Sequence, residues 1–114
     1  MAVDSIKLSQ QAKDQLVKIK RKTGIQNWNI ICRWAFCESL KEPSIPPPAD
    51  HPSDSNVEMS WKIFAGIYGD IYWALLKQRC KNNKLPLDEE TLTKQFRLHL
   101  HRGIGYLSST IFEI

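Results

Sequence analysis

The chain has 114 residues, of which 42% are hydrophobic, so it can form one domain around its own core without disulfides or a structural metal. Its three cysteines lack the paired CxxC spacing of zinc and iron–sulfur centres and are predicted to be reduced, buried thiols. No stretch resembles a signal peptide or approaches about 18 apolar residues, which excludes a membrane span and predicts a cytoplasmic protein.

The positive charge is concentrated at the amino end. The formal net charge is +4; residues 1–42 carry eight basic and four acidic side chains, whereas residues 43–114 carry eight of each. The whole surplus therefore lies in the first third of the chain, where a polyanion would bind. The alternative is a charge that only keeps the protein in solution.

The first 24 residues predict a brief strand followed by an amphipathic helix. Polar and apolar side chains alternate over residues 5–8, and Ser9 is a suitable N-cap for a helix that extends to Lys22. Apolar residues recur along one face of this helix, while charged residues occupy another. Gly24 is expected to end it in the left-handed conformation.

A second helix is predicted from the cap Asn27 to about Leu40, and its apolar residues surround it. Such a helix must be buried on nearly every side, which requires either the C-terminal helices or a second subunit. Residues 43–56 contain five of the six prolines and predict a stiff surface loop, with an interdomain linker as the alternative.

The C-terminal half predicts two further helices. Residues 57–80 read as one helix with two apolar stripes, both assigned to the core: Trp61, Phe64, Tyr68, Ile71 and Leu75, then Ile63, Ile67 and Ala74. The last helix begins after Pro86 and Asp88, with Leu92, Phe96 and His99 on one face and an apolar surface toward Phe112. Gly103 and Gly105 are candidate breaks in it. The prediction is one all-α or predominantly α domain over residues 1–114: a compact four-helix domain that leaves room for a short N-terminal strand.

The basic side chains of the first helix are the candidate DNA-binding residues. Five of them are expected to line up over about two turns of the helix: Lys13, Lys18, Lys20, Arg21 and Lys22. Duplex DNA carries one phosphate charge per about 1.7 Å, so such a ridge would neutralise several phosphates. A solvated helix face is the alternative.

Strand, helix, glycine turn and second helix with a basic bias are together similar to the ribbon-helix-helix unit of small bacterial DNA-binding proteins. That similarity implies strands that pair between subunits in the major groove, and a phosphate held at the start of the second helix. Val3, Ser5 and Lys7 would then face outward, and only Lys7 is a strong donor. So poor a set of base-reading side chains favours contacts to the DNA backbone, with a sequence-specific repressor as the alternative.

Four segments in order span nearly the whole chain: IKLSQQAKDQLVKIKRKTGIQNWNIICRWAFCESL, the Pro-rich connector, WKIFAGIYGDIYWALL and FRLHLHRGIGYLSS. In these segments, over essentially its full length, the chain resembles the DndE family. It implies membership in a machinery that replaces a non-bridging phosphate oxygen of DNA by sulfur, together with a cysteine desulfurase, an iron–sulfur ATPase and a further ATPase. It also implies an oligomer that binds DNA. A homo-oligomer, a tetramer or dimer, fits the need to bury the second helix and would present the basic helices to double-stranded DNA. Because exchange at a phosphate would be helped by an interrupted backbone, a preference for nicked DNA is a further hypothesis.

No enzyme activity, metal or cofactor is expected from the residues. His99 and His101 are two apart, without a carboxylate or cysteine at helical metal-ligand spacing, and GIG at residues 103–105 lacks the context of a nucleotide-binding loop. The acidic residues 88–90 suit the start of a helix better than acid–base catalysis. The four tryptophans could stack on bases, but each lies in an apolar run that predicts packing. A scaffold that only bridges the sulfur-transfer enzymes remains an alternative.

Overall fold

The computed structural model describes residues 4–110 and is predominantly α-helical, as expected from the sequence. Four helices of 14 residues or more are joined by a short helix, a 3₁₀ turn and two short strands. In chain order these are β1 (Ser5–Lys7), α1 (Gln10–Thr23), α2 (Trp28–Lys41), β2 (Glu58–Ser60), α3 (Trp61–Ala65), the 3₁₀ turn Gly66–Tyr68, α4 (Gly69–Asn82) and α5 (Glu89–Thr110). Among the described residues no helix is long and apolar enough to cross a membrane.

The predicted limits of α1 are confirmed by its capping contacts. The Ser9 hydroxyl accepts a hydrogen bond from the Ala12 N–H at 3.1 Å, which satisfies one of the free amides of the first turn. At the other end Gly24 has φ 76°, and its N–H donates to the Lys20 carbonyl at 2.9 Å. A residue with a side chain would be strained in that left-handed conformation.

The predicted strand is present, but its partner lies in the same chain. β1 pairs antiparallel with β2, with Ser5 opposite Ser60 and Lys7 opposite Glu58. This differs from the pairing between subunits that the ribbon-helix-helix similarity implied. Ile6 faces inward while Ser5 and Lys7 face outward, as expected from the alternation; Val3 lies outside the described residues.

The core lies between α2 and α5, with α1, α3 and α4 packed around them. Phe36, Phe64 and Phe96 meet at its centre, with ring centroids 5.1–5.8 Å apart. Helix α5 begins after Asp88, whose carboxylate accepts from the Thr91 N–H at 2.7 Å, as predicted. The prediction of a break at Gly103 or Gly105 is wrong, because α5 continues to Thr110 and Gly103 packs against the backbone of α2. Phe112 lies outside the described residues.

The prediction of one helix over residues 57–80 is wrong. β2 precedes α3, and Gly66, with φ 60°, ends α3 before α4 starts in a new register. The change of register turns most of the two apolar stripes outward: Trp61 and Phe64 are buried, but Ile63, Ile67, Tyr68, Ile71, Ala74 and Leu75 are exposed. A continuous 3.6-residue period cannot be carried across a residue with positive φ.

Residues 42–57 form the irregular connector that their prolines predicted, and its two ends are held by arginines of α5. Arg102 donates to the Ser44 carbonyl at 3.1 Å, and Arg97 donates to the His51 carbonyl at 2.6 Å. The imidazole of His51 stacks on that of His101, with centroids 4.2 Å apart and planes inclined by 13°. The connector therefore lies along the body of the protein.

Candidate nucleic-acid interface

Helix α1 presents its most exposed cations on the side that points away from the core. Ala12, Leu16 and Ile19 are buried and define the inward face. At about 100° per residue, Arg21 lies opposite that face, and Lys18 and Lys22 lie between Arg21 and one flank of the helix. All three side chains are exposed at the carboxyl end of α1. We refer to Lys18, Arg21 and Lys22 as the α1 basic cluster.

Lys13 and Lys20 lie on the other flank of α1, and each has a partner within the chain. The Lys13 Nζ donates to Asn56 Oδ1 at 2.6 Å, and the Lys20 Nζ lies 4.1 Å from the centroid of the Trp28 ring. Both side chains are half-buried. The five cations expected to form one ridge are therefore divided into two groups on opposite flanks. Lys13 and Lys20 are seven residues apart and share one flank, while Lys18 is three and four residues from Arg21 and Lys22.

Lys7 is separate from both groups. Its side chain is exposed on the outward face of the two-stranded sheet, and Glu58 is its partner in the strand register. The Lys7 carbonyl accepts a hydrogen bond from Arg97. An acidic residue opposite Lys7 weakens the attraction of this position for a phosphate.

The junction of α1 and α2 is held by local contacts. Thr23 Oγ1 donates to the Ile19 carbonyl at 2.8 Å and accepts from the Ile25 N–H at 3.2 Å. Asn27 occupies the predicted N-cap, yet its side chain makes no capping hydrogen bond within the described residues. Arg21 and Lys22 of the α1 basic cluster lie in the last turn of α1, where positive charge is favourable to the helix dipole. These two cations thus have a structural role besides any ligand.

An exposed apolar surface is the feature that sequence reasoning missed. Asn29 and Arg33 of α2 both donate to the Ile63 carbonyl, at 3.2 and 3.1 Å, and so hold α3 beside the outer face of α2. The exposed apolar side chains along these elements form what we call the α2–α4 apolar surface: Ile30, Trp34, Ile63, Ile67, Ile71 and Leu75. Ile67 is 89% exposed. The signal in the sequence was the apolar perimeter of α2, which required burial either by the C-terminal helices or by a second subunit.

The remaining tryptophans pack inward. Trp61 is buried, while Trp28 and Trp73 are partly buried against the core. Trp61 and Trp73 meet edge to face, with centroids 5.7 Å apart. Stacking on nucleic-acid bases is therefore open to Trp34, which belongs to the apolar surface, more than to the others.

The two histidines of α5 are buried and hydrogen-bonded. The Ser39 hydroxyl accepts from Arg102 Nε at 2.9 Å and shares a hydrogen bond of 2.8 Å with His99 Nδ1. His101 Nδ1 donates to the Arg97 carbonyl, and its Nε2 accepts from the Ser9 N–H at 3.4 Å. Burial lowers the pKa of both imidazoles to about 4, with Arg102 and Arg79 adding to the effect at His99. Between residues 4 and 110 the chain brings together no group of three or more side chains able to hold a metal ion.

The cysteines also belong to the interior. Cys32 and Cys80 are buried and Cys37 is half-buried, and all three are free thiols. Burial raises the pKa of the Cys32 thiol to about 12 and shifts the pKa values of the other two upward. A raised pKa reduces the thiolate fraction that would make a cysteine reactive.

Comparison with known proteins identifies relatives along nearly the whole chain. Residues 5–112 match the family model described as DNA sulphur modification protein DndE. The solved structure of DndE from Escherichia coli B7A, involved in DNA phosphorothioation modification, is 28% identical with a TM-score of 0.76, over 94% of this chain and 98% of that chain. A mutant DndE involved in DNA phosphorothioation is 25% identical with a TM-score of 0.70, over 93% and 97% of the two chains. The comparison with curated proteins gives no match.

Proposed function

The chain belongs to the DndE family of DNA sulphur modification proteins, and from this premise we propose that it is a non-catalytic, cytoplasmic component that binds duplex DNA through lysine and arginine side chains of α1. The observation that carries the proposal is the α1 basic cluster. Its three cations are exposed on one side of a helix, in the third of the chain that holds the entire positive surplus. Phosphates attract such a cluster without reading bases.

Lys13, Lys20 and Lys7 take a smaller share of this contact. Lys13 and Lys20 are half-buried against Asn56 and the Trp28 ring, whereas the cations of the α1 basic cluster are exposed. The strength of an exposed cation–π contact is about 0.5–1 kcal/mol, which a charge-assisted hydrogen bond to a phosphate can offset. Lys7 would bind beside the sheet, against the opposing charge of Glu58.

The α2–α4 apolar surface supports the oligomer that the proposal includes. Six large apolar side chains exposed on α2, α3, the 3₁₀ turn and α4 are unusual for a protein that acts as a monomer. A second copy is the occupant that we assign to this surface, because its side chains are apolar and the guanidinium of Arg33 beside them is taken up by the carbonyls of Ile63 and Phe64. A dimer or tetramer built on it would bring several α1 basic clusters to one DNA molecule.

A preference for nicked DNA is the narrower part of the proposal. Sulfur replaces an oxygen on a phosphate of the DNA backbone, and a nick makes that backbone more accessible and more flexible. Contacts that follow the backbone rather than the bases would tolerate such a distortion. The preference for nicked DNA is tested independently of the binding of intact duplex DNA.

The two alternatives make different predictions for DNA affinity. A ribbon-helix-helix repressor would prefer its operator by about a thousandfold or more over random DNA; the pairing of β1 with β2 of the same chain counts against it. A scaffold that only bridges the sulfur-transfer enzymes would have no DNA affinity to lose. The buried position of the Ser39–His99 pair argues for a role without catalysis.

Fluorescence anisotropy with intact, nicked and single-stranded oligonucleotides of one sequence, across salt concentrations, tests the proposal. We expect binding of duplex DNA that weakens steeply with salt and is tighter for the nicked duplex. Equal affinity for nicked and intact duplexes would remove the preference. Absence of duplex binding at low salt would remove the function itself.

A further inference from the structure

The segment of residues 43–51 has no part in the proposed DNA contact, although it is held in place by several long-range hydrogen bonds. At its start, Asn83 donates to the Pro43 carbonyl at 2.9 Å, and Arg102 donates to both the carbonyl and the hydroxyl of Ser44. At its end, Arg97 donates to the His51 carbonyl. The two arginines lie on α5, so the segment spans two fixed points of a rigid helix.

Between these points the backbone is not hydrogen-bonded. Within the part of the chain that the structure describes, none of the peptide groups of residues 45–50 forms a hydrogen bond. The three consecutive prolines at 46–48 hold φ near about −65° and favour the polyproline II conformation, which has three residues per turn. An extended segment of this kind leaves its carbonyl oxygens free to accept from a partner.

Most side chains between the fixed points are exposed. Pro46 is buried against the body of the protein, whereas Ile45, Pro47 and Pro48 are exposed. Ile45 is 42% exposed. Three apolar side chains on either side of Pro46 are therefore open to contact with a partner.

Charge decides the class of partner. Residues 42–54 contain Glu42, Asp50 and Asp54 but no lysine or arginine, and all three carboxylates are exposed. Nucleic acid is repelled by such a segment. Proteins recognise polyproline II segments in grooves lined by aromatic side chains, whose ring N–H or O–H groups donate to the free carbonyls. Basic side chains on the rim of the groove would complement the flanking carboxylates.

We propose that residues 44–51 are a docking ligand that inserts into an aromatic groove with a basic rim on another protein. The fixed ends lower the conformational entropy lost on binding, because Ser44 and His51 are already held by α5 before the segment meets its partner. The inference rests on the proposed function in one respect: the partner is sought among the other proteins of the DNA sulfur modification machinery. The docking ligand shares no residue with the α1 basic cluster.

The test measures binding of the full chain to each purified protein of the machinery by biolayer interferometry. We compare the native protein, the double variant Pro47→Ser with Pro48→Ser, and Pro52→Ser as the matched control. All three prolines are exposed in the same connector, but Pro52 lies beyond the fixed segment. One machinery protein should bind the native chain and lose at least about tenfold in affinity with the double variant. The control should bind as the native chain does.

Three results would overturn the inference: no machinery protein binds, the double variant binds as tightly as the native chain, or the control loses as much as the double variant. Loss of self-association in the double variant would assign the segment to contacts between copies and overturn it as well. The DNA affinity of the double variant should equal that of the native chain. Failure of DNA binding with intact partner binding would remove the proposed function and leave the docking ligand in place.

Discussion

Gly103 of α5 lies directly against the backbone of Ala35 in α2: a Cβ atom at position 103 would be 1.8 Å from the Ala35 carbonyl oxygen. No real Cβ approaches an oxygen so closely, so only glycine allows the two helices their present separation. Helices α2 and α5 provide Phe36 and Phe96 to the centre of the core. This contact therefore sets the spacing on which the remaining packing depends.

We expect Gly103→Ala to lower the free energy of unfolding by about 3 kcal/mol, since the added methyl group can be accepted only by separating α2 from α5. Gly105→Ala is the matched control, because its nearest neighbour would be the flexible end of Gln15 at 3.9 Å. Alanine there should be neutral or stabilise the helix by up to about 1 kcal/mol. Urea denaturation followed by circular dichroism measures both; equal effects at the two positions would contradict the packing described.

Replacing the N-cap residues of α1 and α2 should lower the stability of the protein by different amounts. Ser9→Ala removes the hydrogen bond to the Ala12 N–H and should cost about 1 kcal/mol. Asn27 makes no capping bond within the described residues, so Asn27→Ala should cost no more than a few tenths of that. Thermal unfolding of the two variants under one condition compares them, and a larger loss for Asn27→Ala would be the opposite of the expected order.

The protein should lose stability in mild acid through His99 and His101. Their folded pKa values of about 4 lie below the ordinary value of 6.5, so the unfolded chain binds more protons between these limits. The contribution of the neutral imidazoles is complete above about pH 6.5 and is lost as the pH falls toward 4, by about 1 kcal/mol per pH unit for each histidine.

Urea denaturation at pH 7.5, 6, 5 and 4.5 measures this dependence. His101→Gln keeps one donor and one acceptor in place of the imidazole and should give a shallower slope below pH 6.5 than the native protein. A slope that is identical in the variant would assign the acid sensitivity to other groups.

Replacing the α1 basic cluster should abolish most of the salt-dependent DNA binding. In the triple variant Lys18→Glu, Arg21→Glu and Lys22→Glu, the slope of log K against log salt should fall by about 2–3, since each phosphate contact contributes about 0.9. The matched control carries three changes of the same charge at exposed lysines elsewhere: Lys77→Glu, Lys81→Glu and Lys94→Glu. Anisotropy that weakens equally in both triple variants would show an effect of net charge rather than of the α1 basic cluster.

The α2–α4 apolar surface should control assembly. Ile67→Glu with Ile71→Glu places two carboxylates on this surface without touching the core, because both isoleucines are more than half exposed in one copy. The variant should be monomeric, while Leu87→Glu, at an exposed leucine away from that surface, should keep the native mass. Light scattering coupled to gel filtration gives the mass of each; an unchanged oligomer in the double variant would assign assembly to another face.

Local signals in the sequence determined where the first helices begin and end and where the positive charge lies. Ser9 and Gly24 act within a few residues of themselves, so their roles in capping α1 could be predicted without knowledge of the rest of the fold. The same holds for Asp88 at the start of α5 and for the irregular path of the connector. Helical spacing also determined that Lys13 and Lys20 share a flank, although the two flanks of α1 were expected to form one ridge.

Tertiary structure alone decided the partner of β1, the exposure of the apolar residues after Gly66 and the role of Gly103. The interaction of β1 with β2 joins residues more than fifty positions apart, and no local preference encodes such a pairing. The positive φ of Gly66 shifts the register of α4 and exposes Ile67 and Ile71, which the periodicity had assigned to the core. Glycine at 103 weakens a helix locally but allows α2 to approach, because the gain from close packing arises only when both helices are present.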